Sequence, residues 1–127
     1  MKKRKDQLIS FDVAKLAKEK GFKEYCIAYF SISGEEMYFR EDGMYFHSNG
    51  ANGRLILRPT QSLLQKWLRE EHKLSVEVYF NNGWDYDICD LETNLQNISE
   101  PYEYKTFENA FEVALMTALN MIKQDFA

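Results

Sequence analysis

The stretch Leu74-Ser75-Val76-Glu77-Val78-Tyr79-Phe80-Asn81-Asn82-Gly83-Trp84-Asp85-Tyr86-Asp87-Ile88 decides how this chain folds. Apolar and polar residues alternate on both sides of Asn81-Asn82-Gly83, the pattern of two half-buried strands joined by a tight turn. Loop length then sets which side chains share a face. A two-residue Asn82-Gly83 loop would put Val78 opposite Asp87 and Phe80 opposite Asp85, leaving carboxylates among core residues without partners, which is costly. A three-residue loop, with Gly83 as the left-handed residue of a bulge, instead pairs Phe80 with Trp84, Val78 with Tyr86 and Val76 with Ile88. The second register is the expected one. It gathers Glu77, Tyr79, Asp85 and Asp87 on the opposite, exposed face, with Asp90 just beyond.

Beyond this hairpin, residues 92–105, with Pro101, Tyr102 and Tyr104, read as an irregular connection that can include an edge strand. Thr106 then opens the longest element. Phe107, Ala110, Phe111, Ala114, Leu115, Ala118, Leu119, Ile122 and Phe126 recur at three and four residues, which predicts a helix over 107–125 with a wide apolar face laid on the sheet. The Ala110, Ala114, Ala118 row permits a close approach to the strands.

Ahead of the hairpin, Pro59-Thr60 stops one strand and starts a helix whose Leu63, Leu64, Trp67 and Leu68 form one buried face. Residues 24–58 read as a meander of three or four strands: Tyr25 to Phe30, a Ser33-Gly34 turn, Glu36 to Arg40, an Asp42-Gly43 hairpin, Met44 to His47, the loop 48–53, and Arg54 to Arg58. At the start, Ser10 can cap a helix over 11–20, closed by Gly21 in the left-handed conformation with Phe22 folding back. The expected architecture is α+β: three helices and a mainly antiparallel sheet of about five to six strands in the order α-β-β-β(-β)-α-β-β-α. A flexible basic tail over 1–7 would precede a single domain over 8–127.

Composition agrees with a folded, soluble chain. Of 127 residues, 45% are hydrophobic and 15% aromatic, the reverse of a disordered composition. No apolar run approaches the roughly 18 residues of a membrane span, and the basic start is not followed by the apolar core of a signal peptide. Cys26 and Cys89 suit free thiols in a reducing compartment, so the expected location is the cytoplasm. The net charge of −4 conceals an asymmetry: residues 1–74 carry 14 Lys+Arg and 10 Asp+Glu, whereas residues 75–127 carry 2 and 10. Fields of that kind bear on partners more than on fold.

Candidate chemistry is sparse. Cys26, His47, His72 and Cys89 are zinc-ligand types, but no two fall at ligand-pair spacing. Neither histidine lies in a catalytic motif, so no catalytic residue, metal or cofactor is expected. Gly50-Ala51-Asn52-Gly53 matches the GXXG string of RNA-binding KH domains, but that loop must open a helix, and strands are expected on both sides here. The basic Lys2 to Lys5 tail, with Tyr25, Tyr29 and Tyr38 as stacking platforms, would serve a nucleic-acid factor, although the acidic remainder opposes phosphate. Glu77, Asp85 and Asp87, with Asp90, could hold a hard cation or imitate a row of phosphates. Alternating acids also keep an exposed sheet face soluble and block edge pairing, and this reading is preferred because divalent sites usually add loop oxygens.

The segment Leu57-Arg58-Pro59-Thr60-Gln61-Ser62-Leu63-Leu64-Gln65-Lys66-Trp67-Leu68-Arg69-Glu70-Glu71-His72-Lys73-Leu74-Ser75-Val76-Glu77-Val78 resembles a family of small uncharacterised proteins from prophages and mobile elements of gut Bacteroidales. Ala14 to Phe22 and Tyr104 to Ile122 resemble that family's opening and closing helices. The resemblance implies a context, a phage or mobile-element accessory protein, and carries no site residues. Together with the charge asymmetry and the tyrosine-bearing strands, it leads to the expectation of a non-enzymatic module that binds a protein, a second copy of itself included. Glu77, Tyr79, Asp85 and Asp87 are its candidate surface. A nucleic-acid-associated factor or an acidic DNA mimic is the alternative, and no membrane partner is expected.

Overall fold

A computed structural model of the chain describes residues 6–38, 55–98, 101 and 103–122. Among them are three helices and two three-stranded antiparallel sheets, an α+β arrangement. The chain divides into two compact units, residues 1–60 and 61–127.

In the first unit, α1 (Phe11–Glu19) begins where the Ser10 hydroxyl accepts from the Val13 N–H at 3.4 Å. It ends in a Schellman motif: Gly21 turns left-handed at φ 96°, its N–H donates to the Lys18 carbonyl, and the Phe22 N–H donates to that of Ala17. Phe22 is thereby folded back and buried. Strand β1 (Ala28–Ser31) is central, flanked by β2 (Glu36–Tyr38) and β3 (Leu55–Arg58). The turn between β1 and β2 uses Gly34 at φ 95°, with its N–H on the Ser31 carbonyl.

Strand β1 is shorter at its start than the aromatic run from Tyr25 suggests. Ala28 pairs with Arg58, and Pro59, which follows, has no N–H to continue the ladder. Tyr25 and Ile27 are left exposed. The expected second hairpin at Asp42-Gly43, the strand Met44 to His47 and the loop 48–53 lie outside the described residues.

In the second unit, α2 (Gln61–His72) buries Gln61, Leu64, Trp67 and Leu68. Strands β4 (Leu74–Phe80) and β5 (Trp84–Asp90) form the hairpin, and β6 (Gln96–Ile98) adds to the far side of β5. Helix α3 (Phe107–Met121) starts at the Thr106 cap, whose hydroxyl accepts from the Asn109 N–H at 3.0 Å. It packs on β4 and β5 with Ala110, Ala114 and Ala118 fully buried. The helix stops short of the expected residue 125: Ile122 turns extended at φ −71°, ψ 123°, and its N–H reaches back to the Leu119 carbonyl. No Gly or Pro marks this end, so periodicity alone could not have found it. Phe126 lies outside the described residues.

The described strands form two sheets of three where one sheet of five to six was expected. Alternation identifies strands but not their partners. Here the chain leaves β3 at Pro59, passes through α2, and starts a fresh hairpin.

Candidate interaction surface on the acidic hairpin

The β4–β5 register is Phe80 with Trp84, Tyr79 with Asp85, Val78 with Tyr86, Glu77 with Asp87 and Val76 with Ile88, as the three-residue loop requires. The turn itself differs from expectation. Asn82, not Gly83, is the left-handed residue at φ 60°, and the Asn81 N–H donates to the Gly83 carbonyl at 2.8 Å. Asn tolerates this conformation because its short amide can satisfy nearby backbone, so either residue of an Asn-Gly pair could have served.

One face of the hairpin belongs to the core. Leu74, Val76, Tyr86 and Ile88 are buried there, and the Tyr86 hydroxyl lies 3.3 Å from that of Thr117 on α3. Toward the turn, edge-to-face ring contacts run from Phe80 to Trp84, Phe107 and Phe111, with centroids 5.1 to 5.4 Å apart. Phe80 is nonetheless 64% exposed.

The other face carries Glu77, Tyr79, Asp85 and Asp87, but they are not equally displayed. Glu77 is exposed and receives the Ser75 hydroxyl at 3.4 Å. Tyr79 is 40% exposed. Asp85, expected at the surface, is only 2% exposed. Alternation assigns a face but not how much of that face later chain covers. Asp87 is half-buried: the Gln96 amide donates to its Oδ2 at 3.5 Å, while its Oδ1 is buried without a hydrogen-bond partner. Asp90 does not join them, since its Oδ1 accepts from the Glu92 and Thr93 N–H groups at 2.9 and 3.3 Å and closes the following turn. Burial, with Glu103, Tyr86 and Asp85 nearby, raises the Tyr104 phenol above its ordinary value.

The backbone of β4 has two edges. The Lys73 carbonyl accepts from the Leu91 N–H and the Asn81 N–H donates to Gly83, so the odd-numbered residues turn their peptide groups toward β5. The even-numbered residues point outward. Gln65 caps one of these groups, donating its amide to the Val76 carbonyl at 2.6 Å.

Other candidate groups do not assemble. Cys26 is buried, and this desolvation, with Glu24 beside it, pushes its thiol up to about 12. His72 packs edge-on against Trp67 at 4.7 Å. It borders a cavity of about 450 Å³ with Glu71, Leu74, Asp90, Glu92 and Met121. Among the described residues no group of three His, Cys, Asp or Glu could hold a metal ion. In the first unit, Arg58 is spent internally: its Nε donates to the Ile9 carbonyl at 2.7 Å, its Nη1 meets Glu36 at 3.0 Å, and its plane lies 4.6 Å from the Phe30 ring. Tyr25 and Tyr38 are exposed but Tyr29 only partly so. His47, Gly50 to Gly53 and the Lys2 to Lys5 tail lie outside the described residues.

Sequence reasoning missed Gln61, which is 1% exposed and donates to the Glu108 carbonyl at 3.1 Å and to Glu112 Oε2 at 2.8 Å. Its spacing with Leu64 and Leu68 along one helix face was the available signal. No family model matches the chain, and neither a curated protein nor a solved structure is significantly similar to it. No helix among the described residues is long and apolar enough to cross a membrane.

Proposed function

We propose that this chain is a non-enzymatic, protein-binding module, acting in the cytoplasm as an accessory protein of a phage or mobile element. One observation carries the binding reading: at the turn end of the hairpin, exposed Tyr79 shares a face with Glu77 and Asp87, two like charges directly opposite one another, and exposed Phe80 follows it on the other face. Exposed aromatics beside an unfavourable charge pair are a cost to the isolated fold, and such costs concentrate where a partner offsets them. The acidic DNA mimic fits less well. A phosphate-like row needs displayed carboxylates, and Asp85 is buried while Asp87 is half-buried.

The test is capture from a bacterial lysate with the wild-type chain and with Phe80→Ser side by side. A protein held by wild type and lost from the variant is the expected result. Capture that is identical for the two, or a strictly monomeric chain that holds nothing, would remove the reading.

A further inference from the structure

We propose that the outer edge of β4, from Val78 to Phe80, takes an extended basic segment of a partner protein as an added β-strand. The inference rests on the protein-binding reading above and specifies its site and the chemistry of the partner.

Three observations converge on this edge. First, the peptide groups of Val78 and Phe80 face away from β5, and no described group bonds to them. Unpaired strand edges recruit strands, because main-chain hydrogen bonds give affinity whatever the side chains. The Gln65 amide on the Val76 carbonyl ends the available edge on the α2 side and so fixes the length of the contact. Second, both side chains at the open end are displayed, Phe80 on the helix face and Tyr79 on the other. Third, charge decides between occupants. A strand beside β4 places one residue directly opposite Glu77, on the face that also carries Asp87. A lysine or arginine there relieves the like-charge pair, and an arginine two residues along, opposite Tyr79, can stack on its ring. The residue between them and the one beyond point to the helix face and meet Val78 and Phe80, so the partner alternates basic and apolar. A second copy is disfavoured, since residues 75–127 carry 10 acidic and 2 basic residues and would face their own kind.

The probe is an end-capped peptide, Lys-Val-Arg-Val-Lys-Val, with Glu-Val-Glu-Val-Glu-Val as its control, and the readout is amide hydrogen exchange on the full chain. The basic peptide should slow exchange of the Val78 and Phe80 amides about tenfold while leaving Tyr79, already bonded within the hairpin, unchanged. The protection should vanish in Val78→Pro, which removes an outward N–H without touching the β4–β5 ladder, and the preference for the basic peptide should vanish in Glu77→Lys. Equal protection by both peptides, or none at saturation, overturns the inference. Protection that rises with protein concentration alone also overturns it, by making the occupant a second copy. A lysate partner held equally by wild type and Val78→Pro leaves the protein-binding reading standing and removes only the edge.

Discussion

Glu77 stands directly opposite Asp87 in the β4–β5 ladder, and the Asp87 Oδ1 is buried there without a hydrogen-bond partner. Like charges in register oppose pairing, and a desolvated oxygen without a donor adds to the cost. Asp87→Asn removes the repulsion and keeps an acceptor for Gln96. It should therefore stabilise the chain by about 1 kcal/mol, measured by urea unfolding. Glu77→Gln should gain less, since Glu77 is exposed, and the double variant should fall short of the sum, because either change alone removes the repulsion. A loss of stability in Asp87→Asn would mean that the carboxylate is already compensated.

Gln61 presents the opposite balance. Its side chain is buried and serves the Glu108 carbonyl and the Glu112 carboxylate together. Gln61→Leu keeps much of the volume but removes the amide donor shared by two acceptors, one of them charged, and puts an apolar group against them. A cost of about 1 to 3 kcal/mol is expected, with the helix content of the native state unchanged by circular dichroism. A variant as stable as wild type would show that water replaces the amide at no net cost.

The hairpin register was legible in the sequence because only one loop length keeps Asp85 and Asp87 away from Val78 and Phe80. The helix caps at Ser10 and Thr106 and the Gly21 terminator were legible because each is a local device. What escaped was non-local. Asp85 alternates like a surface residue yet is 2% exposed, and Gln61 is polar yet sits in line with Leu64 and Leu68. The partition into two sheets depends on which strands find one another, and alternation has no information about that. The open edge of β4 belongs to the same class: it follows from the bonds that Lys73, Asn81 and Gln65 make, not from the side-chain pattern.

Cys26 and Cys89 should differ sharply as thiols. Cys26 is buried, and desolvation reinforced by Glu24 pushes it from 9.0 to about 12, so little thiolate exists near neutral pH. Cys89 is partly exposed. Iodoacetamide at pH 8 should label Cys89 first and Cys26 only on unfolding, as read by peptide mass spectrometry. There is a stability corollary. The thiol of the unfolded chain ionises near 9, so the fold's preference for the protonated form is fully present below that pH and is lost as pH rises toward 12. The loss should approach about 1.4 kcal/mol per pH unit in that window. It should be absent from Cys26→Ala, whose alkaline limb is the internal control.

His72 should report the acid side. Burial lowers its imidazole below the ordinary 6.5, and Glu71 opposes part of that shift. The unfolded chain therefore takes up the proton first as pH falls. Stability contributed by neutral His72 is complete above 6.5 and declines as pH drops through the lower folded value. Its ring lies 4.7 Å from Trp67 and edge-on to it, so protonation changes the charge beside the indole. In a Trp84→Phe background, which leaves Trp67 as the sole tryptophan, fluorescence should titrate with a midpoint below 6.5 while the fold persists, and His72→Gln should abolish the step. A midpoint at or above 6.5 would mean that the Glu71 carboxylate, rather than burial, governs the imidazole.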